Sequence, residues 1–156
     1  MSEQLAYEPA SRSVVYCVGR CVVKQSLVTA TKQRVWTGAR GAVTAVTVHP
    51  RRNNLCAAAD ESGVRLLELD RFDEDGERPV AVLFEGLFGR VRALAFTAEG
   101  AHLVAIGESP AREPLVAAVL LRTMAVVGEC VAQTPRGGQL LALVLEAASQ
   151  HRHGID

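Results

Sequence analysis

The chain has 156 residues, of which 49% are hydrophobic, and its 17 Lys and Arg residues are balanced by 17 Asp and Glu residues. The apolar fraction is high enough for a packed core and excludes a wholly disordered chain, while the zero net charge gives no general attraction to nucleic acid or to an acidic membrane. An acidic residue near the start and the lack of any long apolar run lead us to expect a cytoplasmic protein with neither a secretory signal nor a membrane span.

The N-terminal part of the chain predicts an incomplete sheet. Residues 1–12 show no regular period and are predicted to form a flexible arm. Three strand-like apolar runs follow, at residues 14–18, 21–27 and 32–36. We interpret them as three strands of a unit spanning residues 13–37 whose first strand is missing. Trp36 lies at the end of the third run, and we expect it to pack in the core.

A repeat with an offset of 48 residues begins at Gly38. Val43-Thr-Ala-Val-Thr-Val48 aligns with Val91-Arg-Ala-Leu-Ala-Phe96, and residues 55–60 align with residues 103–108 without a gap. In both copies apolar residues recur at alternate positions, which is the period of a strand with one buried face. The repeat therefore defines two units, residues 38–85 and residues 86–132.

Each of these two units supplies four strands. The further strand-like runs are residues 64–69 and 80–84 in the first unit, and residues 115–121 and 125–131 in the second. Short strands at this spacing predict an all-β fold built from four-stranded antiparallel sheets. Helical repeats are disfavoured because they would place apolar residues three or four positions apart.

The last part of the chain allows two interpretations. Residues 139–149 have the propensity of a helix, but their position in the repeat is that of the first strand in a following unit. We favour the strand. Residues 133–146 are therefore assigned to the start of the next unit, and residues 147–156 to a polar C-terminal tail.

The stretch Val64-Arg-Leu-Leu-Glu-Leu69 resembles the Val-Arg-Leu-Trp-Asp-Leu pattern of the WD-repeat family. Leu67-Glu68 stands in place of the Trp-Asp pair, and the Gly-His that opens a typical repeat is replaced by Gly38-Ala39 and Gly86-Leu87. The resemblance implies a partial, degenerate β-propeller of about three four-stranded antiparallel blades. Closed propellers take about four to eight blades, so this chain alone is not expected to close the ring.

Within that family, the sequence is similar to the echinoderm-microtubule-associated-protein-like proteins and the related axonemal WD-repeat proteins. The similarity rests on residues 16–23, residues 89–96 and, most specifically, Val43-Thr-Ala-Val-Thr-Val-His-Pro50. It implies a non-catalytic scaffold that binds microtubules or the axoneme through a protein partner such as tubulin. It also implies a location on the cytoskeleton, including the cilium or flagellum.

Three arginines are candidate partner-binding residues. Arg40, Arg90 and Arg136 recur in successive loops that lead from an outer strand to the next innermost strand. Arginine forms strong bidentate contacts with carboxylates, so such a row fits acidic segments like tubulin tails. The alternative is a solvated surface of mixed charge, because four acidic residues are expected on the same side: Asp60, Glu61, Glu108 and Glu113.

The remaining motifs do not point to catalysis. Cys17 and Cys21 flank a turn but lack the spacing and further ligands of a zinc site, and the acidic stretch 70–79 lacks the register and flanking helices of an EF-hand. The glycine pairs lack the ending of a phosphate loop, and no Gly-x-Ser-x-Gly elbow occurs. We therefore expect no enzyme activity, cofactor or metal. A generic interaction propeller with an unrelated partner and a small closed β-domain remain as alternatives.

Overall fold

The computed structural model describes residues 5–29, 31–72 and 78–131, and these residues form three four-stranded antiparallel sheets. The first sheet contains β1 (Leu5–Glu8), β2 (Ser13–Val18), β3 (Cys21–Ser26) and β4 (Gln33–Trp36). The second contains β5 (Ala45–Val48), β6 (Leu55–Asp60), β7 (Gly63–Glu68) and β8 (Ala81–Leu83). The third contains β9 (Arg90–Phe96), β10 (His102–Glu108), β11 (Pro114–Leu120) and β12 (Ala125–Val131). A short 3₁₀ helix, Leu69–Arg71, follows β7.

The strand-like runs of the sequence coincide with β2 to β12. Runs that alternate bury mainly one face, whereas the continuous apolar runs of β6 and β7 are buried on both faces. No helix in the described part of the chain is long and apolar enough to span a membrane. The predicted strand or helix at residues 139–149 and the unit start at residues 133–146 lie outside the described residues, as do the acidic residues 73–77.

The prediction of an irregular N-terminal arm is wrong for residues 5–8. Leu5–Glu8 pairs antiparallel with β2, placing Leu5 opposite Tyr16 and completing a first sheet of four strands. Glu8 is only 1% exposed, and its carboxylate accepts hydrogen bonds from the backbone amides of Ala10 and Ser11, each at 3.0 Å. The strand was hidden because a short run that buries a charged residue does not show an apolar alternation.

The second sheet lies between the other two, since β5 contacts β1 and β2 on one side and β9 on the other. One apolar cluster joins the first and second sheets and includes Trp36, which is 2% exposed. The prediction that Trp36 packs in the core is therefore confirmed. A second, larger cluster joins the second and third sheets. Cys56 lies in the first of these clusters, where complete burial raises the pKa of its thiol to about 12 and makes it unreactive.

The turn between β9 and β10 is one residue shorter than the ungapped alignment predicts. Val46 of β5 lies opposite Ala58, whereas Leu94, its counterpart in β9, lies opposite Ala105 and not opposite Ile106. A one-residue slip would turn every side chain of β10 to the other face of the sheet. β10 shows this change: Ala58 packs against the first blade, whereas its aligned counterpart Ile106 packs on the side of the third sheet that faces away from the second.

Candidate protein-interaction site

The turn between β6 and β7 holds a buried ion pair. Asp60 and Arg65 are 5% and 8% exposed, and Arg65 Nε lies 2.9 Å from Asp60 Oδ2. The backbone amide and the hydroxyl of Ser62 donate to Asp60 Oδ1 at 2.8 and 2.7 Å. The backbone amide of Arg40 donates to Asp60 Oδ2 at 2.8 Å. These bonds fasten the link between β4 and β5 to the β6–β7 turn.

Asp60 is a structural anion in this arrangement. Burial alone would raise the pKa of its carboxyl, but hydrogen bonds from Ser62, the Arg40 amide and Arg65 outweigh it and hold the pKa below the ordinary value of 3.8. The carboxylate is therefore charged and fully engaged near neutral pH, which suits a fastening role and not proton transfer. The sequence interpretation treated Asp60 as a free surface charge, and the structure corrects it.

The candidate arginines are exposed where the structure describes them. Arg40 lies in the link between β4 and β5, and Arg90 is the first residue of β9, at the corresponding end of the third sheet. By the offset that relates β5 to β9, Arg90 corresponds to Ala42, so the two arginines occupy neighbouring but not equivalent positions. Arg136 lies outside the described residues.

Acidic side chains remain close to these arginines. Glu61 is exposed and lies against Gly41, where an added Cβ would meet its carboxyl carbon at 2.5 Å. Glu108 lies opposite Arg90 in the third sheet and forms an ion pair with Arg92. With Asp60 neutralised by Arg65, the surface around Arg40 and Arg90 is of mixed charge and is less acidic than the sequence suggests.

The first sheet has an apolar face that no other described sheet covers. Its opposite face carries Val15, Val22 and Trp36, which are 0–2% exposed against the second sheet. On the uncovered side, Leu5 and Tyr7 lie opposite Tyr16 and Val14, and the next residue along β2 on this side is Val18. Leu5, Tyr7 and Val18 are 65%, 54% and 59% exposed. We call this surface, formed by Leu5, Tyr7, Val14, Tyr16 and Val18, the open face.

His49, which directly follows β5, joins the second and third sheets. Its ring Nδ1 accepts hydrogen bonds from the amides of Arg51 and Arg52 at 3.1 and 2.8 Å. The proton is thereby assigned to Nε2, which donates to the carbonyl oxygen of Gly100 at 2.9 Å. Gly100 has a φ of +74°, and any Cβ there would collide with the His49 ring. The His-Pro pair that carries the family resemblance therefore fixes the packing of two sheets.

Acidification should weaken this contact. Burial lowers the pKa of His49 below 6.5, assisted by the charge of Arg52 and opposed by the bond to Gly100. Between the folded and unfolded pKa values the unfolded chain binds more protons, so the contribution of His49 is complete above about pH 6.5 and declines as the pH falls below it. Urea unfolding at about pH 7.5 and about pH 5.5, on either side of that value, should show a larger loss of stability for the wild type than for His49→Gln. Equal losses would contradict the prediction, because His102 and all other titrating groups are common to both proteins.

No protein-family model matches the chain, and no curated protein matches it. The structure is similar to the β-propeller domain of Myceliophteria thermophila Cps50 (Swd1), with a TM-score of 0.64 and 20% sequence identity. The match covers 83% of this chain and 42% of that one. The chain has the fold of a partial β-propeller. Its three sheets are three blades, with β1, β5 and β9 as the strands that contact one another between blades.

The fold prediction is therefore confirmed: the chain is all-β, and its described residues form four-stranded antiparallel blades that do not close a ring. The similarity supports the WD-repeat resemblance at the level of the propeller. It provides no support for the microtubule-associated subfamily. The chain spans less than half the length of the propeller that it matches.

Proposed function

We propose that the chain is a non-catalytic WD-repeat binding element whose first blade docks on a further propeller blade. The observation that carries this proposal is the open face of the first blade. The corresponding faces of the other two blades are covered: that of the second blade, with Val46, by the first blade, and that of the third, with Leu94, by the second. The covering surface is in each case a β-sheet, so a sheet of the same kind suits the open face.

The gain from covering the open face is substantial on the scale of protein association. Full burial of an aliphatic side chain contributes about 1.5–3 kcal/mol, and Leu5 and Val18 are both more than half exposed. Tyr7 and Tyr16 add aromatic surface, which is enriched at the centres of interfaces. An exposed apolar sheet face of this kind also promotes aggregation when its partner is absent.

The purified chain should therefore self-associate or precipitate, and Val18→Asp should reduce that association because a charge opposes burial of the open face. Val80→Asp is the matched control: Val80 is 51% exposed but lies in the second blade, next to β8. Multi-angle light scattering of dilute protein measures the effect. A wild-type chain that is monodisperse, monomeric and cooperatively folded would contradict the proposal and favour a small closed β-domain.

The finer part of the proposal is that the partner belongs to the microtubule cytoskeleton, in the cytoplasm or in the axoneme of a cilium or flagellum. Support comes from the resemblance of residues 43–50 and from the exposure of Arg40 and Arg90 at corresponding ends of their blades. Acidic tails of tubulin would contact these guanidinium groups.

Arg40→Glu combined with Arg90→Glu should lower co-sedimentation with taxol-stabilised microtubules at least several-fold, because both substitutions reverse charge on one surface. Arg51→Glu combined with Arg122→Glu reverses two exposed charges in turns at the other ends of the blades, and serves as the control. If wild type and both double variants sediment equally, the partner is not bound through this surface. If the chain does not bind microtubules but binds another protein, a generic interaction propeller is favoured.

A further inference from the structure

A cleft of about 270 Å³ lies at the end of the first blade where its β1–β2 turn and β3–β4 link meet. Its cations are Lys24, Lys32 and Arg34, and its hydroxyls include Ser13, Ser26 and Thr29. No carboxylate lines it among the described residues. Lys24 and Lys32 are also the only lysines in the chain, whose other basic residues are all arginines. The cleft is therefore chemically distinct from the rest of the surface.

The strand register of the first blade places these groups on one face. Lys24 lies opposite both Val15 and Arg34, and Ser13 lies opposite Ser26, so all five side chains project from the same side of the sheet. Val15 on that side is buried against the second blade. The cleft consequently opens beside the junction of the first two blades, on the side opposite to the open face.

Arg34 is held in position from the second blade. Its guanidinium Nη1 donates to the backbone carbonyl oxygen of Asp70, in the 3₁₀ helix that follows β7. This bond uses only part of the donor capacity of the guanidinium and leaves its charge unneutralised. Among the described residues, the ion pairs of the chain join Arg65 to Asp60, Arg71 to Glu68 and Arg92 to Glu108, and none of them involves the cleft.

The Ser26 hydroxyl can donate to a ligand, whereas the Ser13 hydroxyl already donates to the backbone carbonyl oxygen of Ser11 at 3.3 Å. Ser26 Oγ accepts hydrogen bonds from the amides of Val28 and Thr29 at 3.2 and 3.1 Å, which leaves its own proton for a ligand. The carboxylate nearest in the chain, Glu8, is buried and accepts hydrogen bonds from the amide and hydroxyl of Ser11 and the amide of Ala10. The Glu8 carboxylate is thus held by hydrogen bonds within the β1–β2 turn, which borders the cleft.

We propose that this cleft binds the dianion of a phosphate monoester carried on a small group, such as a phosphorylated serine. Three cations match a charge near −2, and the Ser26 hydroxyl adds a donor for a phosphate oxygen. The volume is at the lower end of small-molecule sites, and the lining contains no aromatic ring on which a base could stack. Both features favour a phosphate on a short carrier over a nucleotide.

Protection of the two lysines provides a direct test. O-phosphoserine should slow the acylation of Lys24 and Lys32 by an amine-reactive ester, measured by peptide mass spectrometry, while serine and chloride at matched ionic strength should not. The α-amino group of the chain gives the unprotected reference in the same sample. If chloride protects the two lysines as well as O-phosphoserine does, the proposal is wrong, because the protection is then general salt screening.

Variants distinguish binding at the cleft from a general effect of positive surface charge. Lys24→Gln combined with Arg34→Gln should weaken O-phosphoserine affinity at least tenfold in calorimetric titration, and Arg112→Gln combined with Arg122→Gln, in exposed turns of the third blade, should leave it unchanged. Retained thermal melting of both variants shows that they fold. Equal affinity of all three proteins would refute the site. Inorganic phosphate and vesicles containing a phosphoinositide identify whether a free phosphate or a lipid headgroup binds better than the serine ester.

Discussion

Val46→Asp and Leu94→Asp should each abolish cooperative folding of the chain. Val46 is 4% exposed in the cluster between the first and second blades, and Leu94 is 9% exposed in the cluster between the second and third. An unpaired carboxylate at either position costs several kcal/mol, which is comparable with the whole stability of a small domain, about 5–15 kcal/mol. Circular dichroism during heating should show no transition for either variant.

Val126→Asp is the control for these substitutions. It introduces the same kind of change in a strand, β12, but Val126 is 47% exposed, so the new carboxylate stays solvated. This variant should melt within a few degrees of the wild type. If Val46→Asp and Leu94→Asp also melted like the wild type, the blade-to-blade packing described above would be incorrect.

The strands could be predicted because their signal is local. In β9 the alternation of Arg90–Phe96 brings Leu94 to the core, and in β5 it does the same for Val46, as the sequence indicates. Register is a different matter, since it depends on how two strands pair. The shorter turn before β10 shifts that strand by one residue without leaving a gap in the aligned sequence, so only the pairing reveals it.

Buried charges account for most of what the sequence did not reveal. Glu8 and Asp60 are of a type that usually lies at the surface, yet each is at most 5% exposed. The donors that make their burial tolerable are backbone amides, the hydroxyls of Ser11 and Ser62 and, for Asp60, the guanidinium of Arg65. None of these is visible before the turns are known. Phe72 was likewise hidden, because it lies in an acidic stretch although its side chain packs in the core between the first two blades.

The candidate site, too, could be predicted from the sequence only in part. The exposure of Arg40 and Arg90 follows from their place in loops, and the sequence predicts it. The open face was not predicted residue by residue, since it includes Leu5 and Tyr7 of the strand that was assigned to an arm. The cleft was not predicted either: its cations come from β3, β4 and the link between them, and only the sheet register gathers them.

Asp60→Ala should destabilise the chain by about 3–5 kcal/mol, because it leaves the guanidinium of Arg65 buried without its partner and the Arg40 amide without its acceptor. Arg65→Met should cost less, since Ser62 and the Arg40 amide still solvate the carboxylate. Glu61→Ala changes the exposed neighbour and should stay within about 0.5 kcal/mol of the wild type. Urea unfolding near neutral pH gives all three values.

The double variant Asp60→Ala with Arg65→Met decides whether the ion pair acts as a unit. Its cost should fall clearly below the sum of the single costs, with a coupling of about 1–3 kcal/mol, because the introduced methionine side chain fills the space of the arginine stem without needing a partner. The folded-state pKa of Asp60 lies below its ordinary 3.8, so its contribution should be complete above that pH and lost as the pH falls through the folded-state value. Additive costs, or an Asp60→Ala variant as stable as Glu61→Ala, would mean that Asp60 is a solvated charge. It would then again oppose acidic partners at Arg40, so the same measurement tests the chemistry of the arginine surface.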